Sequence, residues 1–380
     1  MTVWDSLVGQ RQVVETLDAA ARGRGMTHAW LITGPPGSGR SNAAVAFAAA
    51  LQCENAGCGE CRACRTTLAG SNLDVTVHVP ERAQIQVDEA RDWVLKAARR
   101  PIMDPWQIRI VEDADRLNDS SGNALLKAVE EPAPRTVWIL CAPQPEDVLP
   151  TIRSRTRQLN LATPSVEDVA DFLVRRFDVA PARAAHAARA SQGHIGRAKA
   201  LALDEETRNR RRQLVQLPPR LTSLGACMTA AANLVDIADA EAKASTDAAF
   251  AQEMENLETI YGTDRRTRAV RSARAAEKDL ADQQKARLRR QVLDAVDRSL
   301  TELLSVYRDV LVLQTAAGGS LVNEEQRGEV EELARRTTAE GTLRRIDAVH
   351  EAREQMLEFN VPPLLALESM MTVLRTGTAV

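Results

Sequence analysis

Aromatic residues are scarce in this sequence: five Phe, five Trp and two Tyr among 380 residues, 3% of the chain. That is too few for a protein that grips single-stranded nucleic acid by stacking bases on rings. An excess of positive charge is also missing, since 49 Lys and Arg face 52 Asp and Glu, for a net charge of −3 and a pI of about 6.1. A chain that coats nucleic acid unaided is strongly basic, so that role is excluded. No apolar run approaches the about 18 residues of a membrane span. The opening Met1-Thr2-Val3-Trp4-Asp5 has neither a basic start nor an apolar signal core. These absences set the expectation of a cytoplasmic protein with no membrane partner. A disulfide framework is not expected either. Four of the six cysteines crowd into Cys53 to Cys64, a pattern of metal ligands in a reducing compartment.

What is present is alternation. At about 150 residues per domain, 380 residues imply two or three domains. Short apolar runs at His28–Thr33, Val75–Val79, Ile108–Val111 and Thr136–Leu140, with a weaker one at Gln158–Leu161, read as strands. Helical stretches over Asn42–Leu51, Val87–Arg100 and Ser121–Val129 lie between them. This order predicts an α/β core, a parallel sheet covered by helices on both faces. After Ala162 the strand signals stop. Ser165 with Asp168 reads as a helix cap before Val166–Phe177, and Val179–Ala190 and Arg197–Leu203 read as two further helices. From Leu221 long helices follow, with breaks predicted near Gly262, Gly318-Gly319, Gly341 and Pro362-Pro363. Three domains result: 1–162, a small helical one over 163–216, and an all-helical one over 217–380. Between Asp264 and Arg290 ten Lys or Arg stand against four Asp or Glu. Such a stretch is either the solvated face of a long helix or a site turned to a polyanion. The amphipathic run Val292–Leu313 either needs a partner to bury its stripe or belongs to a self-contained bundle.

Gly34-Pro35-Pro36-Gly37-Ser38-Gly39-Arg40-Ser41 follows an apolar strand and opens a helix. Glycines let backbone amides converge on phosphate oxygens, and the helix N-terminus adds partial positive charge. Gly34, Gly37, Gly39, Arg40 and Ser41 are therefore candidates for nucleotide binding, with the Ser41 hydroxyl toward magnesium. Arg40 stands where this loop carries lysine, and a planar guanidinium does not replace a lysine that curls round phosphates. The third strand ends in Glu112-Asp113, magnesium-site candidates or simply two acids solvating a strand end. Asp113 would reach an attacking water poorly, and misplacement by about 1 Å costs about 100-fold. No phosphate-sensing polar residue follows the fourth strand at Ala142 or Pro143. Nucleotide binding is expected at this loop, and hydrolysis is not.

Cys53, Cys58, Cys61 and Cys64 give C-x4-C-x2-C-x2-C. Four thiolates at this spacing can close on one tetrahedral structural zinc, with redox chemistry or no metal as the alternatives. Cys141 and Cys227 stand alone in apolar surroundings and read as core thiols. Arg155, in Thr151-Ile152-Arg153-Ser154-Arg155-Thr156, is by spacing alone either a surface arginine or one offered to a neighbouring subunit's nucleotide.

Together these residues resemble the clamp-loader branch of the AAA+ superfamily, which serves bacterial DNA polymerase III. The resemblance is carried by Trp4-Asp5-Ser6-Leu7-Val8-Gly9-Gln10, the phosphate loop, the cysteine cluster after its helix, Asn123-Ala124-Leu125-Leu126-Lys127-Ala128-Val129-Glu130-Glu131-Pro132, and Ser154-Arg155-Thr156. It implies an AAA+ P-loop core with a zinc module at 53–64, a small helical lid domain and an all-α collar domain. It implies that Arg155 is a trans arginine finger. It departs from the family's motors at Arg40, at the inverted order Glu112-Asp113, and at Gly193-His194-Ile195-Gly196-Arg197, where a sensor arginine is displaced by one residue. The cysteine spacing is also shorter, and Ala238 to Ala286 runs longer than the family's helical domain.

The resemblance thus implies a non-motor clamp-loader subunit, with other clamp-loader subunits (motor ATPases and delta) as partners. Through that complex it would meet the sliding clamp and primer–template DNA. Zn2+ is the implied structural cofactor, with ATP/Mg2+ at the loop. The competing readings are an ATP-hydrolysing motor subunit of the same machine and a zinc-dependent DNA-binding regulator with a vestigial loop. The closed thiolate cluster and mild acidity speak against the last.

Overall fold

The computed structural model describes residues 2–80, 84–261 and 267–377, in two compact units, Met1–Asp204 and Glu205–Val380. In the first unit the described strands are β1 (Ala29–Thr33), β2 (Val75–His78), β3 (Gln107–Val111), β4 (Thr136–Ala142) and β5 (Arg157–Asn160). They form one sheet in the order β2-β3-β4-β1-β5, parallel at every pairing. β1, β3 and β4 are buried along their whole length. A strand covered on both faces tends toward a continuous apolar run, which makes β1 and β4 visible in the sequence, whereas β3 is interrupted by the buried Arg109.

Side chains alternate across the sheet. Trp30 and Ile32 of β1 join Val137, Ile139 and Cys141 of β4 on one face, with α1 (Arg11–Ala21), α2 (Arg40–Gln52) and α3 (Arg62–Leu68). Ala29 and Leu31 join Trp138, Leu140 and Ala142 on the other, with α4 (Val87–Ala97) and α5 (Asp119–Glu130). The α/β core with two helical layers is thus as the alternation implied. A four-residue helix, α6 (Pro150–Arg153), leads into β5. Then α7 (Val166–Phe177), α8 (Pro181–Ser191) and α9 (Ile195–Leu203) enclose a small core of their own around Val169, Leu173, Ala188 and Leu201. The Ser165 hydroxyl accepts the Asp168 amide at 3.0 Å, capping α7.

The second unit is all helical among the described residues: α10 (Glu205–Val215), α11 (Leu224–Tyr261), α12 (Thr267–Thr315), α13 (Arg327–Arg336), α14 (Ala339–Leu357) and α15 (Pro363–Thr376). The division therefore falls at Asp204/Glu205 rather than after residue 216. α10 is held in this unit by the Arg211–Glu302 ion pair to α12 and by Leu214, which packs on the unit's core. The break near Gly341 falls at Thr337-Thr338, between α13 and α14, and Gly341 itself lies in the first turn of α14, its amide donating to the capping Thr338 hydroxyl at 3.1 Å. The stripe within Val292–Leu313 needs no other chain, because Val296, Leu300, Leu303 and Tyr307 are buried in the core that α11, α14 and α15 share. Most of the basic stretch from Asp264 to Arg290, and the break predicted at Gly262, lie outside the described residues and side chains. No helix among the described residues is long and apolar enough to cross a membrane.

Candidate functional site

β1 ends at Thr33 and α2 begins at Arg40, so Gly34 to Gly39 form the connecting loop. Gly37 and Gly39 have φ of +80° and +97°, left-handed values that side chains resist. At Gly34 a Cβ would stand 2.8 Å from the Leu161 carbonyl oxygen. The Ser38 hydroxyl is buried here without a hydrogen-bond partner among the described residues, an arrangement that suits a polar ligand in the loop. The Arg40 guanidinium folds back along the loop, Nη1 donating to the Gly34 carbonyl at 2.8 Å. Across the loop, the Ile195 amide at the start of α9 donates to the Gly37 carbonyl at 3.2 Å. His194 lies so close that a Cβ on Gly37 would come within 2.1 Å of its ring. Arg197 follows one turn later, its amide donating to His194 Nδ1 at 3.2 Å.

The end of β3 turns sharply. The Glu112 amide donates to the His78 carbonyl at 2.9 Å, and Asp113 adopts a left-handed backbone, φ 48° and ψ 49°, ahead of a short 3-10 turn. Its carboxylate is paired with Arg116 at 3.4 Å. Asp115, two residues on, was not singled out from sequence. Its Oδ1 is buried without a hydrogen bond among the described residues. Burial pushes that carboxyl up from the ordinary range, Asp113 pushes the same way, and Arg116 and Arg40 oppose. Burial likewise pushes the Cys141 thiol up to about 12, with Glu112 adding and Arg40 opposing. The loop arginine and the three acids thus share one electrostatic neighbourhood. A turn this short has no periodicity, so only proximity to Glu112-Asp113 could have pointed to Asp115.

The cysteine cluster begins where α2 ends. The Sγ atoms of Cys53, Cys58, Cys61 and Cys64 all lie within 4.8 Å of one another, a group that could hold a metal ion. Cys53 and Cys58 are 3.6 Å apart and Cys53 and Cys61 3.7 Å. A tetrahedron of thiolates about 2.3 Å from zinc has edges of about 3.8 Å, so the donor set fits that ion. Ala56, Gly57 and Gly59 turn the chain with φ of 51°, 102° and 80°. Amides of Cys58, Cys61 and Cys64 approach Cys53, Cys58 and Cys61 Sγ at 3.5, 3.4 and 3.4 Å. Burial pushes the thiols of Cys61 and Cys64 up. It pushes on Cys53 as well, but the amides of Cys58, Gly57 and Asn55 outweigh it and bring that thiol down to about 6. Cys141 and Cys227 are apart from this cluster and buried.

Arg155 follows α6 and is half-exposed. Its Nε donates to Glu130, the last residue of α5. Its Nη1 donates to the Thr151 carbonyl at 2.8 Å and the Ser154 hydroxyl at 3.2 Å. Among the described residues no hydrogen bond or ion pair is found between Arg155 and Arg40, Glu112 or Asp113.

Residues 9–165 match the family described as DNA polymerase III, delta subunit, and residues 284–376 match its C-terminal part. The delta-prime subunit of Pseudomonas aeruginosa DNA polymerase III is 37% identical over 163 residues, 41% of this chain and 50% of that one. The chain resembles the delta-prime subunit of bacterial DNA polymerase III. The Escherichia coli delta-prime subunit is 34% identical over 185 residues, 47% of this chain and 55% of that one. DNA polymerase III subunit tau of Bacillus subtilis is 34% identical over 161 residues, 41% of this chain and 28% of that one. The chain spans about half the length of the delta-prime relatives it matches. The matched residues 9–165 of this delta-prime-like chain contain the loop, the cysteine cluster, the Glu112-Asp113 turn and Arg155.

Proposed function

We propose that this chain is a clamp-loader subunit of a bacterial DNA polymerase III holoenzyme, a non-motor member that lends Arg155 to a neighbouring subunit's ATP. The observation that carries the non-motor reading is Asp113. The acid nearest the place of a water-activating base is turned into a left-handed backbone and paired with Arg116 at 3.4 Å. Arg40 points the same way, its guanidinium bonded to the loop's own Gly34 carbonyl rather than extended from it.

Arg155 would then be the chain's contribution to chemistry. A guanidinium that neutralises charge on a transferring phosphoryl group is worth about 10³ to 10⁵ in rate. Its own loop, Gly34, Gly37, Gly39, Arg40 and Ser41, would hold nucleotide phosphates, with Ser41 and Glu112 toward Mg2+. Cys53, Cys58, Cys61 and Cys64 would hold zinc with no open position, a structural role. The partners would be the motor ATPase subunits and delta, with the sliding clamp and primer–template DNA reached through the assembly in the cytoplasm.

One observation favours the motor reading instead: the Ser38 hydroxyl is left for a ligand in a loop of intact glycine pattern. DNA-stimulated ATP turnover of the reconstituted loader separates the two. For a stator, Arg155→Ala in this chain lowers turnover by about 10³-fold or more, the range for a lost finger, and Arg40→Ala leaves it unchanged. The reverse pattern makes the chain a motor.

A further inference from the structure

We infer that Glu130 is the positioning residue of Arg155, setting which edge of the guanidinium is offered to the neighbouring subunit. The inference rests on the reading of Arg155 as a finger. Arg155 carries a long side chain two residues beyond the four-residue helix α6. Left to itself such a side chain samples many rotamers, and that freedom is lost when it meets a phosphate. Here it is held on its own subunit: Nε by Glu130, Nη1 by the Thr151 carbonyl at 2.8 Å and the Ser154 hydroxyl at 3.2 Å. Nη2 makes no hydrogen bond among the described residues. The anchored side of the guanidinium therefore faces home, and Nη2 is the donor kept outward.

Glu130 suits this use. As the last residue of α5 it stands at the negative end of the helix dipole, where a carboxylate is disfavoured and an adjacent guanidinium offsets the cost. Both side chains are partly exposed, 38% for Arg155 and 44% for Glu130. An ion pair so open to water contributes little to stability. What it changes is orientation, and preorganising a long side chain in its bound geometry reduces the ordering cost of the encounter.

The test uses the reconstituted loader carrying variants of this chain. Glu130→Ala is expected to lower maximal DNA-stimulated ATP turnover about 5- to 20-fold with the half-saturating ATP unchanged, short of the about 100-fold that 1 Å of misplacement can cost. Glu130→Gln, which keeps an oxygen acceptor for Nε, recovers most of it and serves as the variant whose fold is undisturbed. In an Arg155→Ala background, Glu130→Ala adds nothing, because both changes break one coupled contact. Additive losses, unchanged or faster turnover for Glu130→Ala, or an effect confined to half-saturation overturn the role of Glu130 while a slow Arg155→Ala keeps the finger. Normal turnover for Arg155→Ala instead overturns the finger itself, and the positioning role with it.

Discussion

Arg211 on α10 and Glu302 on α12 form an ion pair at 3.0 Å, their side chains only 4% and 9% exposed. Arg211 Nη2 also donates to Asn323 Oδ1 at 2.5 Å, and Asn323 in turn donates to Asp309 and Ser305. Buried charge is tolerated where such a network is bonded throughout. Glu302→Ala would leave the guanidinium buried without its carboxylate, at a cost of about 3–5 kcal/mol. A lowered urea midpoint for the full chain is the expected readout, and Arg211→Met with Glu302→Leu loses less than Glu302→Ala alone.

The cysteine cluster is tied to the N-terminal segment: the Val3 amide donates to the Gly57 carbonyl at 3.1 Å. A Cβ on Gly57 would stand 2.6 Å from Val3 Cγ2, and Val3, Leu7, Cys53 and Cys64 share one core. Metal analysis of the purified chain should give one zinc per molecule, and Cys58→Ser should reduce it strongly. Chelation should lower the melting temperature and open the segment before Gln10 to protease, since metal binding contributes directly to folding. A chain that melts identically with and without chelator contradicts the structural zinc.

His78 stacks on Trp93 with ring centroids 4.5 Å apart. Burial, then the nearby Arg109 and Lys96, bring its pKa down from 6.5 to about 4. Its folded pKa is therefore below its unfolded one, so the unfolded chain binds the extra proton between these values. The stabilisation is complete above pH about 6.5 and is lost as pH falls toward about 4, about 2 kcal/mol after allowing for partial exposure. Denaturant midpoints measured from pH 7 to 4 should fall in that window, and His78→Phe should flatten this part of the slope.

Gly37→Ala tests the packing of α9 on the phosphate loop. The new methyl would meet His194 at 2.1 Å on a backbone with φ +80°, so the loop or the helix must move, costing about 1–3 kcal/mol. Gly37→Ala with His194→Gly removes both the ring and the His194 Cβ, which stands 2.6 Å from the new methyl, and keeps only the backbone strain. The double variant should melt above the single one; equal melting temperatures would place the whole cost in the backbone.

Legibility from sequence followed burial. β1 and β4 are covered on both faces and are plain as apolar runs, β3 is readable around its buried Arg109, and α7 begins and ends at the residues its cap and periodicity indicate. α3 is hidden by its seven residues, with Cys61 as its N-cap and Cys64 within it. α10 is hidden because Glu205-Glu206-Thr207-Arg208-Asn209-Arg210-Arg211-Arg212 has no apolar face, and its place is set by a buried charge whose partner is 91 residues away. In the site, the loop and the cysteines are local patterns and are readable as such. The pairing of Asp113 with Arg116, the orphaned Asp115 oxygen and the Glu130–Arg155 contact depend on backbone turns and on residues up to 25 positions apart, which no spacing rule supplies.

One helix joins the two ligand-ready ends of the first unit. α2 starts at the left-handed Gly39 and ends at Cys53, a rod of about 20 Å at 1.5 Å per residue. Its buried side chains are mostly alanine, with Phe47 the one aromatic ring. Packed this closely, it has little compliance, and close-packed interiors transmit strain rather than absorb it. A displacement at the cysteine end would therefore be carried along the rod toward the glycine-rich loop.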